Sequence, residues 1–376
     1  MKRIGMVGVN TFNPNLCDGV SASMFELLRF LKQQGSHVFI LNYLTAEPYK
    51  THVLHCLAET PGSEILSRGS HHCKAVLHGV EIHQEQLSRP EREALIGQPD
   101  VLKKIIRGIQ DAHADYVFTI DRNQTALLAV SVTGTPGAHF FRSPAYIPEY
   151  IRQPMFIKIL ENTMVFAVSD FTRNYLSELL GIQAVTWCPI FDFDRHLAAH
   201  RPEKTKTVGY YSAGKHKGDE VMAHVIREMR HVPFVVMGRN YGPGASPPPN
   251  VEYLGDVPDN RIFYERTGLL TLPSMVEEGF PRVILEAAVN GIPAIANNVG
   301  GTSEAMDSAG ILTDAKKDDP PEKVAEKYIS AIRSVLSDDG AYAAWCQKAL
   351  QRAKDYEHEQ YRMSLSVYDR HIQPYL

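Results

Sequence analysis

The sequence predicts an α/β protein built from two domains of similar size with a cleft between them. The chain has 376 residues, which is too many for one hydrophobic core of ordinary size. Strand-like and helix-like segments alternate through the first half, and the alternation restarts after a charged interruption at residues 190–207. Alternation of this kind with short loops is typical of parallel sheets that are covered by helices on both faces.

The first half begins with a β-rich run at residues 3–10, a helical pattern at 21–35 and a buried-strand run at 37–43. Residues 44–98 are irregular apart from a possible hairpin at 75–83. Beyond them the periodicity predicts further strands and helices in alternation. The strands are expected at 115–121, 137–142, 164–169 and 183–189, and the helices near 100–112, 123–132, 148–160 and 170–180.

The second half repeats this pattern and ends in two long helical segments, at 321–337 and 340–370. Its strands are expected at 207–212, 233–238, 251–257 and 269–274, with a helix at 217–230. The sequence therefore predicts an N-terminal and a C-terminal α/β domain, joined by a linker and followed by a C-terminal tail. The predicted bounds are 1–189 and 207–356 for the domains, 190–206 for the linker and 357–376 for the tail.

Composition excludes several classes of protein. The net charge of −4 does not fit a nucleic-acid-binding protein, which is usually strongly basic. The five cysteines are scattered without a CxxC pair, which fits a reducing compartment better than a disulfide framework. No apolar run reaches the length of a membrane span. We expect a cytoplasmic protein with possible peripheral contact to a membrane.

The stretch EEGFPRVILEAAVNGIPAIANNVGGTSE, at residues 277–304, is the most informative part of the chain. It places Glu278 and Glu286 eight positions apart, on either side of Pro281. Proline suits the first turn of a helix, and Asn290 followed by glycine is a good stop, so the stretch predicts a helix over 281–290. Arg282, Glu286 and Asn290 then form one polar stripe.

This arrangement predicts a binding site for a ligand with two hydroxyl-rich ends. The backbone N–H groups around Gly279, Phe280 and Arg282 lie at a helix N-terminus, which favours an anion. Glu278 in the loop can accept hydrogen bonds from hydroxyls above it, and Glu286 reaches a second set. A diphosphate between two polyhydroxyl groups fits this layout, and a nucleotide-sugar is such a ligand.

At these residues the sequence resembles the retaining glycosyltransferases of family 4, whose E-x7-E region is similar to residues 273–304. The resemblance extends to 250–274, 207–222 and 167–181, and it is absent over 44–110. It implies the GT-B fold, with two Rossmann-like domains whose parallel sheets face a central cleft, followed by C-terminal helices. In that fold the N-terminal domain would lie on the acceptor side, the C-terminal domain would bind the nucleotide-sugar, and the tail would pack back on the N-terminal domain. It also implies transfer of a hexosyl group from a UDP- or GDP-sugar to an acceptor hydroxyl, with retention of configuration and without a metal or cofactor.

The resemblance also implies roles for individual residues. Glu278 would hold the hexose hydroxyls, Glu286 the ribose hydroxyls, and Lys217 would neutralise the departing diphosphate. Gly19 would bring a helix N-terminus of the other domain to the phosphate. The expected donor-binding set is Gly19, Lys215, Arg239, Gly279, Phe280, Pro281, Arg282 and Glu286, and the expected catalytic set is Lys217, Glu278, Arg142 and His139.

The sequence departs from the family pattern in its cations. Tyr210 stands where the family usually has an arginine, so Lys215 or Arg239 would have to supply the missing charge. Arg142 lies where the family often has a histidine facing the reacting sugar, and His139 is the alternative.

Three rival interpretations stay open from the sequence. A nucleotide-sugar epimerase or a sugar phosphorylase could use the same fold, and Tyr210 keeps open the interpretation as a non-catalytic sugar-nucleotide-binding subunit that partners an active transferase. The Asp192-x-Asp194 pattern superficially matches a metal-binding motif of other glycosyltransferases. Because it lies in the predicted linker, we favour a capping or turn role for it and no catalytic metal.

Overall fold

The computed structural model describes two compact units, Met1–Phe191 with Tyr361–Leu376 (unit 1) and Asp192–Gln360 (unit 2). The second boundary falls inside the long C-terminal helix, Asp339–His371. The described residues are 1–9, 12, 19–44, 60, 62–69, 72–87, 99–121, 123–144, 147, 149–198, 206–212, 214–238, 247–257, 259–316 and 318–376.

Unit 1 contains a nine-stranded sheet in the order β3-β4-β5-β2-β1-β6-β7-β8-β9. The strands from β5 to β9 in this order run parallel, and β3, β4 and β5 pair antiparallel at one edge. Their bounds are β1 Arg3–Val9, β2 His37–Leu44, β3 Ser63–Arg68, β4 His72–Leu77, β5 Val80–Gln86, β6 Tyr116–Ile120, β7 Gly137–Phe141, β8 Met164–Ala167 and β9 Val185–Thr186.

The hairpin expected at 75–83 is confirmed as β4 and β5, which turn at His78 and Gly79 with positive φ angles of 46° and 80°. Strand β3, within the region that the sequence analysis left irregular, was missed. Most of its side chains are exposed, so it has none of the alternation that marks a half-buried strand.

Five helices of unit 1 follow the sequence periodicity: α1 Gly19–Gln33, α2 Pro99–Asp111, α3 Gln124–Thr133, α4 Pro154–Glu161 and α5 Asp170–Leu180. Helix α2 buries Val101, Ile105 and Ile109, one residue per turn, against the sheet. Helix α5 begins where the Ser169 hydroxyl accepts a bond from the backbone of Thr172, and it ends at Gly181 with φ 69°. The chain end joins this unit, because Trp187 donates a buried 3.0 Å hydrogen bond to Ser364.

Unit 2 contains six parallel strands in the order β12-β11-β10-β13-β14-β15. They are β10 Val208–Ser212, β11 Phe234–Gly238, β12 Val251–Gly255, β13 Leu269–Leu272, β14 Ala294–Asn297 and β15 Gly310–Thr313. The strand order reverses its direction of growth between β10 and β13. In doubly wound sheets, ligands bind at this switch point, at the carboxyl ends of the strands.

The helices of unit 2 are α6 Phe193–His196, α7 Asp219–Glu228, α8 Arg261–Tyr264, α9 Arg282–Ala288, α10 Thr302–Met306, α11 Pro321–Leu336 and α12 Asp339–His371. Helix α6 lies within the predicted linker and buries Phe193 and His196. Asp192 caps it by accepting a bond from the backbone of Arg195, so the capping role favoured for Asp192 is confirmed. Among the residues described, no helix is both long and apolar enough to cross a membrane.

Candidate functional site

Lys217 and Glu278 meet at the switch point of unit 2. Lys217 ends a short 3-10 turn, Lys215–Lys217, that follows β10, and Glu278 lies in the loop that follows β13. Lys217 Nζ donates to Glu278 Oε1 at 2.5 Å, and the two side chains are 24% and 12% exposed. A lysine and a carboxylate that come from different loops thus form a charge-assisted hydrogen bond that solvent still reaches.

Backbone contacts fix the two loops against each other. Met275 N donates to the carbonyl of His216 at 2.9 Å. Gly218 has φ 93°, and a Cβ atom there would lie 2.3 Å from the carbonyl oxygen of Pro273. Only glycine permits both this backbone conformation and this close approach. The position of Lys217 relative to Glu278 is therefore set by main-chain packing.

Tyr210 occupies the buried interior of β10 and holds the start of α7. Its hydroxyl donates to Asp219, the first residue of that helix, and Ser212 Oγ donates to the same carboxylate oxygen at 3.0 Å. Burial, and then the bond to Asp219, raise the pKa of Tyr210 well above its usual value. Tyr210 is thus a neutral hydrogen-bond donor. Asp219 was not predicted as a site residue. An acidic residue directly after a turn that ends in glycine nevertheless indicates the start of a helix.

Glu278 is held from its other side by a glycine pair. Gly301 N donates to the Glu278 carbonyl at 2.7 Å. Gly300 has φ 59°, and a Cβ atom there would lie 2.1 Å from the same carbonyl oxygen. The carbonyl of Glu278 is therefore held against the start of α10.

Glu286 lies on α9 within a buried polar network. Its Oε2 atom accepts bonds from the Tyr264 hydroxyl at 2.8 Å and from Asn260 Nδ2 at 2.9 Å. Its Oε1 atom lies 3.7 Å from Arg282 Nε. Burial, and then the charge of Glu286, raise the pKa of Tyr264 well above its usual value, so Tyr264 is a donor at every physiological pH.

The predicted polar stripe of Arg282, Glu286 and Asn290 is present, but all three side chains are buried. Asn290 Nδ2 donates to the carbonyls of Glu286 and His196 at 2.8 and 2.9 Å, and its Oδ1 accepts from Ala198 N at 2.8 Å. The stripe thus binds α9 to the segment that follows α6. The sequence analysis missed Asn260, Tyr264 and His196 because they lie far from Glu286 along the chain.

The remaining donor-side residues lie in different environments. Helix α9 spans 282–288 rather than the predicted 281–290, with Pro281 at its N-cap and Phe280 buried just before it. Lys215 is mostly exposed, and its Nζ atom pairs with Glu220 at 2.9 Å. Gly19 is the first residue of α1 in unit 1. Arg239 lies outside the described residues.

In unit 1, His139 and Arg142 differ sharply in exposure. His139 is fully buried on β7, where its Nδ1 atom lies 2.8 Å from Thr119 Oγ1, and burial lowers its pKa to about 4. Arg142 follows β7, and both its backbone N–H and its guanidinium bond Asp121. Asp121 directly follows β6 and has φ 40°, a left-handed conformation that is uncommon outside glycine, and it was not predicted as a site residue. Of the two alternatives, only Arg142 lies at the carboxyl edge of the sheet.

No candidate metal site is evident in the part of the chain that the structure describes. No group of three or more His, Cys, Asp or Glu side chains there could hold a metal ion.

Comparison with known proteins is strongest in unit 2. Residues 205–337 match the family model for glycosyl transferases group 1. The D-inositol 3-phosphate glycosyltransferase of Rhodococcus jostii is 32% identical over 123 residues, which cover 30% of this chain and 25% of that protein. The corresponding protein of Rhodococcus opacus is 32% identical over 133 residues and is covered over 27% of its length. The chain thus matches about a quarter of the length of these curated relatives.

Solved structures match nearly the whole chain. Sucrose-phosphate synthase from Thermosynechococcus elongatus superposes with a TM-score of 0.72 at 15% identity, over 100% of this chain and 99% of that one. The Anabaena protein HepE, solved in complex with UDP-glucose, superposes with a TM-score of 0.70 at 14% identity, over 98% and 100% of the two chains. At such identities the likeness shows the fold, which is the GT-B fold that the sequence resemblance implied. The protein therefore has the GT-B fold, and its similarity to the glycosyl transferases of group 1 lies in residues 205–337.

Proposed function

We propose that this protein is a retaining glycosyltransferase that moves a hexosyl group from a nucleotide-sugar to an acceptor hydroxyl. The observation that carries the proposal is the Lys217–Glu278 pair at the switch point of unit 2, with Glu286 eight positions further along the chain. The family match over residues 205–337 supports glycosyl transfer. The complex of a structural neighbour with UDP-glucose supports a UDP-sugar as the first donor to test.

In this proposal the pair divides the work between the sugar and the phosphates. Glu278 accepts hydrogen bonds from the hexose hydroxyls, helped by the backbone of Gly279 and Phe280. Lys217 turns towards the diphosphate and stabilises the negative charge that develops as the sugar bond breaks. Both side chains are partly exposed, so a ligand can reach them without unfolding the loops.

Glu286 is the residue that we assign to the ribose. Its Oε2 atom is already fixed by Tyr264 and Asn260, which orient the carboxylate. Its Oε1 atom, 3.7 Å from Arg282 Nε and therefore beyond hydrogen-bond distance, is the oxygen that we assign to the ribose hydroxyls. A preoriented carboxylate loses little conformational entropy when it binds.

The reaction that we propose is attack on the same face from which the diphosphate leaves. The acceptor oxygen forms its bond to the anomeric carbon as the bond from that carbon to the phosphate oxygen breaks. The acceptor proton passes to the departing diphosphate. The protein contributes positioning and charge stabilisation, with Lys217 on the phosphates and Arg142 on the acceptor side.

Donor binding tests this proposal directly. We expect one member of a panel of UDP-, GDP- and dTDP-sugars to raise the melting temperature of the protein, because a ligand of the folded state stabilises it by mass action. Glu286→Ala should weaken donor binding about tenfold, the value of one or two lost hydrogen bonds to a charged group. Glu277→Ala removes the exposed neighbour of Glu278 and is the matched control. Unchanged donor affinity in Glu286→Ala would refute the ribose assignment.

A non-catalytic sugar-nucleotide-binding subunit is the second candidate, because Tyr210 is buried, neutral and committed to Asp219 where the family has a cation. The two candidates differ in product. A transferase releases nucleoside diphosphate and a glycoside whose anomeric configuration matches the donor, which nuclear magnetic resonance can read. A binding subunit shows the same melting shift with neither transfer nor hydrolysis of the donor.

A further inference from the structure

The middle of α12 contacts two features that adjoin Glu278, the helix α10 and the side chain of Phe280. Arg352 and Tyr356 lie one helical turn apart, so their side chains share a face. They are 5% and 3% exposed, which is unusual for an arginine on a helix that is otherwise rich in charge.

Arg352 holds the far end of α10. Its Nη2 atom donates to the carbonyl of Glu304 at 2.8 Å, and its Nε atom donates to the carbonyl of Ala305 at 3.3 Å. These carbonyls belong to the last turn of the helix, where cationic side chains are favourable. The first turn of the same helix follows Gly301, whose N–H bonds the Glu278 carbonyl. Arg352 therefore fixes the helix against which the Glu278 backbone is held.

Tyr356 holds the other side of the loop. Its ring centre lies 5.5 Å from that of Phe280, two residues beyond Glu278, with 36° between the ring planes. The Arg352 guanidinium lies over the Tyr356 ring at 5.1 Å, so the two side chains also fix each other. Arg352 Nη1 pairs with Glu359 at 3.2 Å, which supplies the counter-charge from the same helix.

We propose that Arg352 and Tyr356 are positioning residues that aim the Glu278 carboxylate at the donor sugar. The inference rests on the proposed role of Glu278 in holding the hexose. Around Glu278, the Arg352 side chain bonds α10 and the Tyr356 side chain packs on Phe280. They act through the backbone on either side of it, with α10 holding the carbonyl of Glu278 and Phe280 fixing the chain just after it.

The test compares the binding of UDP-glucose with that of UDP in the full-length protein. Lost aim at Glu278 weakens contacts to the hexose and leaves contacts to the nucleotide intact. We therefore expect Tyr356→Leu and Arg352→Met to bind UDP-glucose about tenfold more weakly and to bind UDP as the wild type does. Tyr356→Phe retains the ring contact and should restore wild-type binding of both ligands. Thermal denaturation of each variant, without ligand, establishes that it is folded.

Tyr342→Leu is the matched control. It removes another buried ring from α12, one whose hydroxyl bonds the carbonyl of Gly268 at the opposite, amino-terminal edge of the sheet. Any weakening in this control should be equal for UDP and UDP-glucose. Equal weakening of both ligands in Tyr356→Leu and Arg352→Met, or no weakening, would overturn the inference and leave the proposed function standing. Failure of the wild-type protein to bind either ligand or any other nucleotide-sugar would overturn both.

Discussion

At the scale of single residues, the Lys217–Glu278 pair would give the proposed donor site its cation before a donor binds. The attraction between two opposite charges in contact offsets part of the hydration free energy that each loses, and the partial exposure of both side chains limits that loss. The pair therefore holds the Lys217 ammonium group next to the proposed sugar-binding carboxylate. An incoming diphosphate can take over part of the bonding of Lys217 without leaving Glu278 far from any cation.

Replacing Lys217 tests this role in catalysis. We expect Lys217→Ala to lower kcat about 100-fold with a smaller change in KM for the donor, because the lost charge matters most when the diphosphate departs. Steady-state kinetics with varied donor measure both constants. Lys323→Ala, which removes an exposed lysine that pairs only with Asp319 among the bonds found, is the control. Wild-type turnover in Lys217→Ala would contradict the assignment.

His139 gives unit 1 a predictable dependence on pH. Burial lowers its folded-state pKa from 6.5 to about 4, so the unfolded chain binds the proton more readily. The contribution of the neutral imidazole to stability is complete above pH 6.5 and is lost as pH falls towards 4, and it amounts to about 2 to 3 kcal/mol between pH 7.5 and pH 4.5. His139→Leu should therefore lose that much less stability than the wild type over this interval in urea denaturation. Parallel losses in the two proteins would show that His139 does not titrate as its burial requires.

At the scale of elements, the sequence predicts the features that a short run of neighbouring residues determines. The hairpin of β4 and β5 follows from alternation on either side of His78-Gly79, and the loop-to-helix position of Glu278 and Glu286 follows from Pro281. The partners of those glutamates could not be predicted. Asn260 and Tyr264 lie 26 and 22 residues before Glu286, and Arg352 lies 48 residues after Glu304, so only the folded chain brings them together.

The start of α7 is held by hydrogen bonds from outside the helix, and their contribution to the free energy of unfolding can be measured. Tyr210 and Ser212 both donate to Asp219, so either donor can partly replace the other. We expect Tyr210→Phe and Ser212→Ala each to lower the free energy of unfolding by about 1 kcal/mol. The double variant should lose more than the sum, because Asp219 then has neither donor. Urea denaturation of the three variants provides the cycle, and strict additivity would show that Asp219 does not depend on the two hydroxyls jointly.

At the scale of the whole molecule, the candidate site residues are distributed unequally between the two units. Lys217, Glu278 and Glu286 all belong to unit 2, which is also where the family match lies. His139 and Arg142 belong to unit 1. Its sheet differs from that of unit 2 because β3 and β4 add antiparallel pairing at one edge. This division fits a fold in which one domain is specialised for the donor, and it makes the contribution of unit 1 to donor binding a separate, measurable question.

Hydrogen–deuterium exchange with and without UDP answers that question in the intact protein. We expect UDP to slow exchange in the backbone of the 214–218 turn and of the 276–286 loop and helix, because bound phosphates and ribose restrict the opening of both. Slower exchange at the start of α1, around Gly19, would confirm that unit 1 also contacts the phosphate, as the family resemblance implies. The peptide that covers β3 and β4 is the internal control. These strands lie at the edge of the sheet, where β5 and β2 separate them from β1, and they are also far from β1 along the chain. Protection confined to unit 1 would contradict the donor site that we propose, because every group assigned to the sugar and the ribose lies in unit 2.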